Sequence, residues 1–163
     1  GNLRKPRYWA IAMLERLHDH ELACRLTGDG AGSLVEVWPT RDDAGGLAIA
    51  VWNGTLDHHR GTGDPALDRE VHLRISGLSA SAYELRHQRV DAQHSNIVTT
   101  WRALGEPDWP DAAGWERLRA ADRLETLEPT RTVRPEAGRL ELTFELPMPA
   151  ISLLELVPVD RGG

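Results

Sequence analysis

Arg89-Val90-Asp91-Ala92-Gln93-His94-Ser95-Asn96-Ile97-Val98-Thr99-Thr100-Trp101-Arg102-Ala103-Leu104-Gly105 is the stretch in which the character of the chain changes. A strand pattern runs into it and a helical pattern runs out, and Asp91, His94, Ser95 and Asn96 crowd the change. Such a cluster resembles a site, yet the residue types also suit a junction. Ser95 or Asn96 can cap a helix over 97–104, Asp91 can accept backbone donors in the turn, and His94 can tie loop to sheet. Ile97 and Trp101, four apart, then share a helical face directed at the core. Asp91, His94, Ser95, Asn96 and Trp101 are therefore read as a structural junction.

Strand patterns lie on both sides of it. Upstream, 21–27 is a first expected strand, and residues 34–38 alternate. Leu47-Ala48-Ile49-Ala50-Val51-Trp52-Asn53 is apolar on both faces and so reads as a central strand covered on both sides. Val71, Leu73 and Ile75 alternate with His72, Arg74 and Ser76, which is the half-buried signature, and 83–90 follows as a further strand. Between strands 47–53 and 71–76, residues 58–65 read as a polar loop. Downstream, Asp111 can cap a helix carrying Trp115, Leu118 and Ala121, with 126–133, 140–146 and 151–157 as closing strands. Short strands between glycine and proline turns predict a mainly β fold, an immunoglobulin-like two-sheet antiparallel β-sandwich with short accessory helices.

The N-terminal end departs from that plan. Pro6 is placed to start a helix, and Tyr8-Trp9-Ala10-Ile11-Ala12-Met13-Leu14 is apolar all round, where a helix with one buried stripe needs apolar residues only every three or four positions. Partners on two sides are implied. Tyr8, Trp9, Ile11, Met13 and Leu14 are thus expected to form a domain or subunit interface, with 1–20 a terminal helical piece and 21–163 the sandwich.

Composition narrows the function. A chain of 163 residues can bury roughly 70% of its unfolded surface in one core. Its net charge of −6, with 25 acidic and 19 basic side chains interspersed, implies neither nucleic acid nor an anionic membrane as partner. Arg86, Arg89, Arg131 and Arg134 read as solvent-facing strand residues. Cys24 is the single cysteine, so it forms no intrachain disulfide, and its alternating context reads as a small buried hydrophobe. No apolar run approaches the roughly 18 residues of a membrane span, and no secretory h-region is evident at the start, which leaves cytoplasm and secretion both open.

Tests for chemistry are negative one by one. His94 with Asp91 falls short of a zinc ligand set, and the adjacent His58-His59 is a weak pattern. His18 and His20 read as charges at a helix C-terminus. Gly28-Asp29-Gly30-Ala31-Gly32 lacks the residues of a phosphate loop. Glycosidic cleavage needs two carboxylates roughly 5 to 9.5 Å apart. Glu141 and Glu145 on one strand are about 14 Å apart along the backbone. No catalytic residue, metal ligand or cofactor is assigned. Exposed tryptophans can stack on sugars, so Trp38 and Trp109 keep a carbohydrate-binding module as the alternative.

With these residues in hand the chain resembles the C-terminal β-sandwich of glycoside hydrolase family 39, which contains β-xylosidases and α-L-iduronidases. The resemblance is carried by the helix at 6–17, by 47–53, by Arg89-Val90-Asp91 with His94-Ser95-Asn96 and Trp101, Leu104, Gly105 and Pro107, and by 140–156 with its Pro-Met-Pro and Ser-Leu-Leu-Glu-Leu. It implies that the first helix is the last of a (β/α)8 barrel whose glutamates lie upstream of this sequence. The chain would then be a non-catalytic accessory domain that packs on and stabilises a missing catalytic barrel and contributes to oligomers. The parent would be a retaining β-xylosidase-like glycosidase.

Overall fold

The computed structural model describes residues 2–57, 59 and 63–159. A helix α1 (Pro6–Leu14) leads into strands β1 (His20–Glu21), β2 (Val35–Arg41), β3 (Leu47–Asn53), β4 (Arg69–Ser76) and β5 (Tyr83–Val90). Helices α2 (Ile97–Ala103) and α3 (Ala112–Ala121) follow, then β6 (Glu125–Thr126), β7 (Arg131–Val133), β8 (Arg139–Leu146) and β9 (Ala150–Pro158). Strands β1-β2-β3-β9-β5 pair in that order, with β6 and β7 both on the free edge of β5; β4 and β8 form a separate two-stranded ribbon. Every named ladder is antiparallel. The expected mainly β sandwich with accessory helices is present, with one broad sheet and one narrow one.

The period-2 rule explains the layering. Leu47, Ile49 and Val51 of β3, Leu154 and Leu156 of β9, and Tyr83 and Leu85 of β5 project inward and pack with Leu142 and Leu146 of the ribbon. Val71, Leu73, Ile75, Leu140 and Phe144 cover them from the ribbon side. Residues of the opposite parity, Ala48, Val90 and Leu153, point to the other face of the broad sheet, where Met13 and Trp9 of α1 pack on them. The broad sheet is therefore buried on both sides along β3 and β9, which is why 47–53 carries no polar face until Asn53.

Helix α1 is fastened from its own end. The Arg16 guanidinium donates to the Gln88 side chain on β5 and pairs with Glu155 on β9, and the His18 N–H donates to Thr40 Oγ1 at 2.9 Å. The residues past the helix therefore lie along the outer face of the sheet. His18 and His20 do not cap the helix, which ends at Leu14; their rings face Asp42 at 3.8 Å and Asp43 at 2.9 Å in the turn between β2 and β3.

Three other expectations are corrected. Of the expected strand at 21–27 only Glu21 falls in a ladder, with His20 before it, and the Leu22 N–H adds one bond to the Pro39 carbonyl. Leu22 and Leu26 pack on the core while Cys24 between them is exposed, with no further ladder to cover it. The strand expected at 126–133 breaks into β6 and β7 around Pro129, whose ring leaves no N–H for a ladder. His58 and residues 60–62 of the polar loop lie outside the described residues; His59 is exposed.

Met13→Ala should lower stability by about 2–5 kcal/mol, read as a lower midpoint in urea unfolding. An unchanged midpoint would show that α1 lies outside the cooperative unit of the sandwich.

Candidate functional site

Two places gather unusual residues: a polar network inside the sandwich at the β5 end, and an apolar surface outside it around α1. The first grows from strand parity. Tyr83 and Leu85 point inward, so His87 and Arg89 must as well, and Arg89 is among the largest fully buried side chains at 2% exposure. The solvent-facing reading of Arg89 is thus overturned. Its guanidinium is matched donor by donor: Nε to Ser152 Oγ at 2.7 Å, Nη2 to the Glu145 carbonyl at 2.7 Å, and Nη1 to Asp91 Oδ2 at 3.4 Å. Partner by partner, that arrangement offsets the desolvation of a buried charge.

Asp91 carries the network into the turn. Its Oδ1 accepts the backbone N–H groups of Gln93 and His94, both at 2.8 Å, and the His94 ring Nδ1 lies 2.9 Å away. Asn96 Oδ1 accepts the Val98 N–H at 3.1 Å as the cap of α2, while its amide donates to the Asp91 and Ala92 carbonyls. Ser95 takes a left-handed backbone with φ 54°, held by three bonds: its Oγ donates to the Arg89 carbonyl and accepts the Glu125 N–H, and its own N–H donates to Glu125 Oε2. Trp101 Nε1 donates to the Pro107 carbonyl at 3.1 Å. The residues named from the sequence at 91–96 are brought together; His87, Arg89, Glu125 and Ser152 join them unannounced. The signal for His87 and Arg89 was the parity of β5, fixed by Tyr83 and Leu85; Glu125 and Ser152 come from other strands and carried none.

Burial dominates the electrostatics. Desolvation, then the positive charges of Arg89 and Arg131, push His87 down to about 3, so it is neutral at ordinary pH. Desolvation also lowers Arg89, with Asp91 opposing the shift. Desolvation alone would raise Asp91, but the Gln93 and His94 N–H groups and the His94 ring outweigh it and hold the carboxyl below its usual range.

The chemistry open to this cluster is limited by access. Ser152 Oγ lies 2.8 Å from His87 Nε2, and His87 Nδ1 lies 3.8 Å from Glu128, an order of groups reminiscent of an activated serine. Ser152, however, is 0% exposed and its oxygen already accepts from Arg89, so no substrate reaches it. Among the described residues no group of three or more His, Cys, Asp or Glu side chains is arranged to hold a metal ion. Glu141 and Glu145 are both exposed on the outer face of the ribbon.

The second place is a groove of about 760 Å³ on the outer face of the broad sheet, walled by Pro6, Ala10 and Leu14 of α1, by Trp38 and Trp52, and by Ile151. Trp38 in its wall is 42% exposed, and Tyr8 and Ile11 of α1 are each 52% exposed. The sequence grouped Tyr8, Trp9, Ile11, Met13 and Leu14 as one interface. The structure divides them: Met13 is wholly covered by this chain's own core, Trp9 packs on it, and Tyr8, Ile11 and Leu14 look outward.

The model of the glycosyl hydrolases family 39 matches residues 1–140. The chain belongs to that family. Over 158 residues it is 28% identical to a beta-xylosidase of Geobacillus stearothermophilus, which takes in 97% of this chain and 28% of that protein. The fold is similar to that of a bacterial orthologue of human α-L-iduronidase, with a TM-score of 0.80 and 24% identity over 99% of this chain and 28% of the other. It is also similar to a GH39 enzyme from Xanthomonas axonopodis pv. citri, with a TM-score of 0.74 and 21% identity over 96% and 31%. This family 39 chain thus spans less than a third of the proteins it matches.

Two tests probe the buried network of this family 39 domain. Asp91→Ala should destabilise it by about 3–5 kcal/mol, since Arg89 loses its counter-charge while still buried. Below pH 6.5 the unfolded chain protonates His87 whereas the folded chain resists until about 3, so stability falls as pH falls through that window. Asp91 adds a further loss once the unfolded carboxyl protonates, below about pH 4. In denaturant unfolding at about pH 7 and about pH 4, His87→Gln should shrink the difference between the two midpoints.

Proposed function

We propose that this chain is a non-catalytic accessory domain of a larger family 39 glycosidase and that it stabilises the catalytic part by packing against it through the outer face of α1. The observation that carries the reading is the groove at α1, walled by Leu14 and Trp38, together with Tyr8 and Ile11 of the same helix left in solvent. Large apolar side chains gathered in solvent on one helix and its neighbouring groove cost free energy in water and suit a surface that another protein covers. The chain spans 28% of the matched beta-xylosidase and 28% of the matched iduronidase orthologue, so the reading has a larger remainder of the parent to draw the covering element from. The orientation of the helix suits such docking, since one side is committed to the sheet through Trp9, Met13 and Arg16 and the other remains free.

In this reading residues 1–20 are the structural continuation of the catalytic part, the last helix of a (β/α)8 barrel, and 21–163 are the accessory sandwich. The parent acts on a β-xyloside or a related glycoside by a retaining mechanism, with both catalytic glutamates in the barrel. The junction at Asp91, His94, Ser95, Asn96 and Trp101 serves as scaffolding, holding the β5 end and the groove wall in register. Where the barrel is absent, the same face can mediate contact between copies of the chain.

Aryl β-xylosides incubated with this chain alone should show no hydrolysis above the buffer rate; turnover abolished by changing a residue of this chain would refute the accessory reading. Ile11→Glu should prevent co-purification of the chain with the remainder of its parent while leaving the isolated domain's unfolding free energy within about 0.5 kcal/mol of the original. Undiminished co-purification would move the docking surface elsewhere.

A further inference from the structure

A second aromatic feature lies away from the α1 face, in the helical connection between β5 and β6. Trp109 is 81% exposed, and its ring meets Trp115 edge to face, with centroids 5.4 Å apart. An isolated exposed apolar residue is ordinary on a protein surface. This one differs in how firmly it is held. Pro107 and Pro110 flank it and restrict the backbone, and Trp101 Nε1 grips the Pro107 carbonyl. Pro110 is buried against α3, whose cap, Asp111, accepts the Gly114 N–H at 2.7 Å. The fit is close: a Cβ at Gly114 would sit 3.0 Å from the Pro110 side chain. Proline, cap and glycine together present one large flat ring to water.

We propose that Trp109 is a stacking platform for a neutral glycan, one pyranose ring lying on the open face of the indole. The α1 face is broad and mostly aliphatic, as a protein contact requires, whereas here one exposed indole, backed edge to face by Trp115, stands in a segment that is otherwise rich in charged residues. That combination suits a sugar, which offers one apolar C–H face and a rim of hydroxyls. Sugar hydroxyls can bond to such neighbours as Asp108, Asp111 and Arg119. Between Glu106 and Arg119 the acidic residues outnumber the arginines, and the whole chain carries −6, so a sulfated or carboxylated glycan is disfavoured and a neutral one is not. The ligand class draws on the glycosidase family shown for this chain. It does not depend on docking through α1, and the two readings fail separately.

Isothermal calorimetry of the full 163-residue chain with xylohexaose tests the proposal. Saturable binding is expected, weakened about tenfold or more by Trp109→Ala, largely retained in Trp109→Tyr, and unchanged by Trp38→Ala. Because the indole is exposed, Trp109→Ala should leave the thermal midpoint in place, which separates loss of binding from loss of fold. No saturable heat, binding indifferent to Trp109→Ala, or tighter binding of a heparin hexasaccharide than of xylohexaose would each overturn it.

Discussion

A guanidinium buried between two sheets is the constraint on which the rest of the molecule depends. Arg89 cannot shed its proton in a protein and cannot be left unpaired in a low-dielectric interior. Its donors therefore dictate neighbours on three separate segments: Ser152 on β9, the Glu145 carbonyl on β8, and Asp91 in the turn that leaves β5. Those bonds bring ribbon, broad sheet and helical connection to one point. His87 is kept neutral by the same burial and by Arg89 itself, and its ring packs edge to face on Phe144 of the ribbon, with centroids 4.8 Å apart.

From that point the two faces of the broad sheet have different assignments. The inner face is closed by the ribbon, whose outward residues are charged or polar and disfavour recruitment of further strands at its edges. The outer face is closed only over part of its width, where Trp9 and Met13 settle on Ala48, Val90 and Leu153. The remainder forms the groove and the exposed side of α1. The broad sheet is thus buried on both sides along two central strands and open beside them.

Much of this was legible in the residue order. The double burial of β3 follows from an unbroken apolar run, the half-burial of β4 and β8 from strict alternation, and the capping of α2 and α3 from Asn96 and Asp111. Arg89 was not legible from residue type, because an arginine in a strand is usually at the surface. Only the parity set by Tyr83 and Leu85 pointed inward, and parity identifies a buried position without naming the partners that make the burial tolerable. Cys24 failed for the opposite reason: its local pattern resembled a strand, but the ladder with β2 ends at Glu21, and no strand beyond it covers the thiol.

The sequence by itself determined the mainly β sandwich, the family 39 resemblance and the presence of a helix with more apolar surface than one sheet can cover, because periodicity and turn residues are local properties. The tertiary structure decided which side of that helix is covered internally, that Arg89 rather than Asp91 is the centre of the polar cluster, and that Trp109 stands in water while Met13 does not. Those outcomes rest on pairings between residues distant in sequence, Arg89 with Ser152 and Arg16 with Glu155, and pairings of that range leave no periodic trace in the chain.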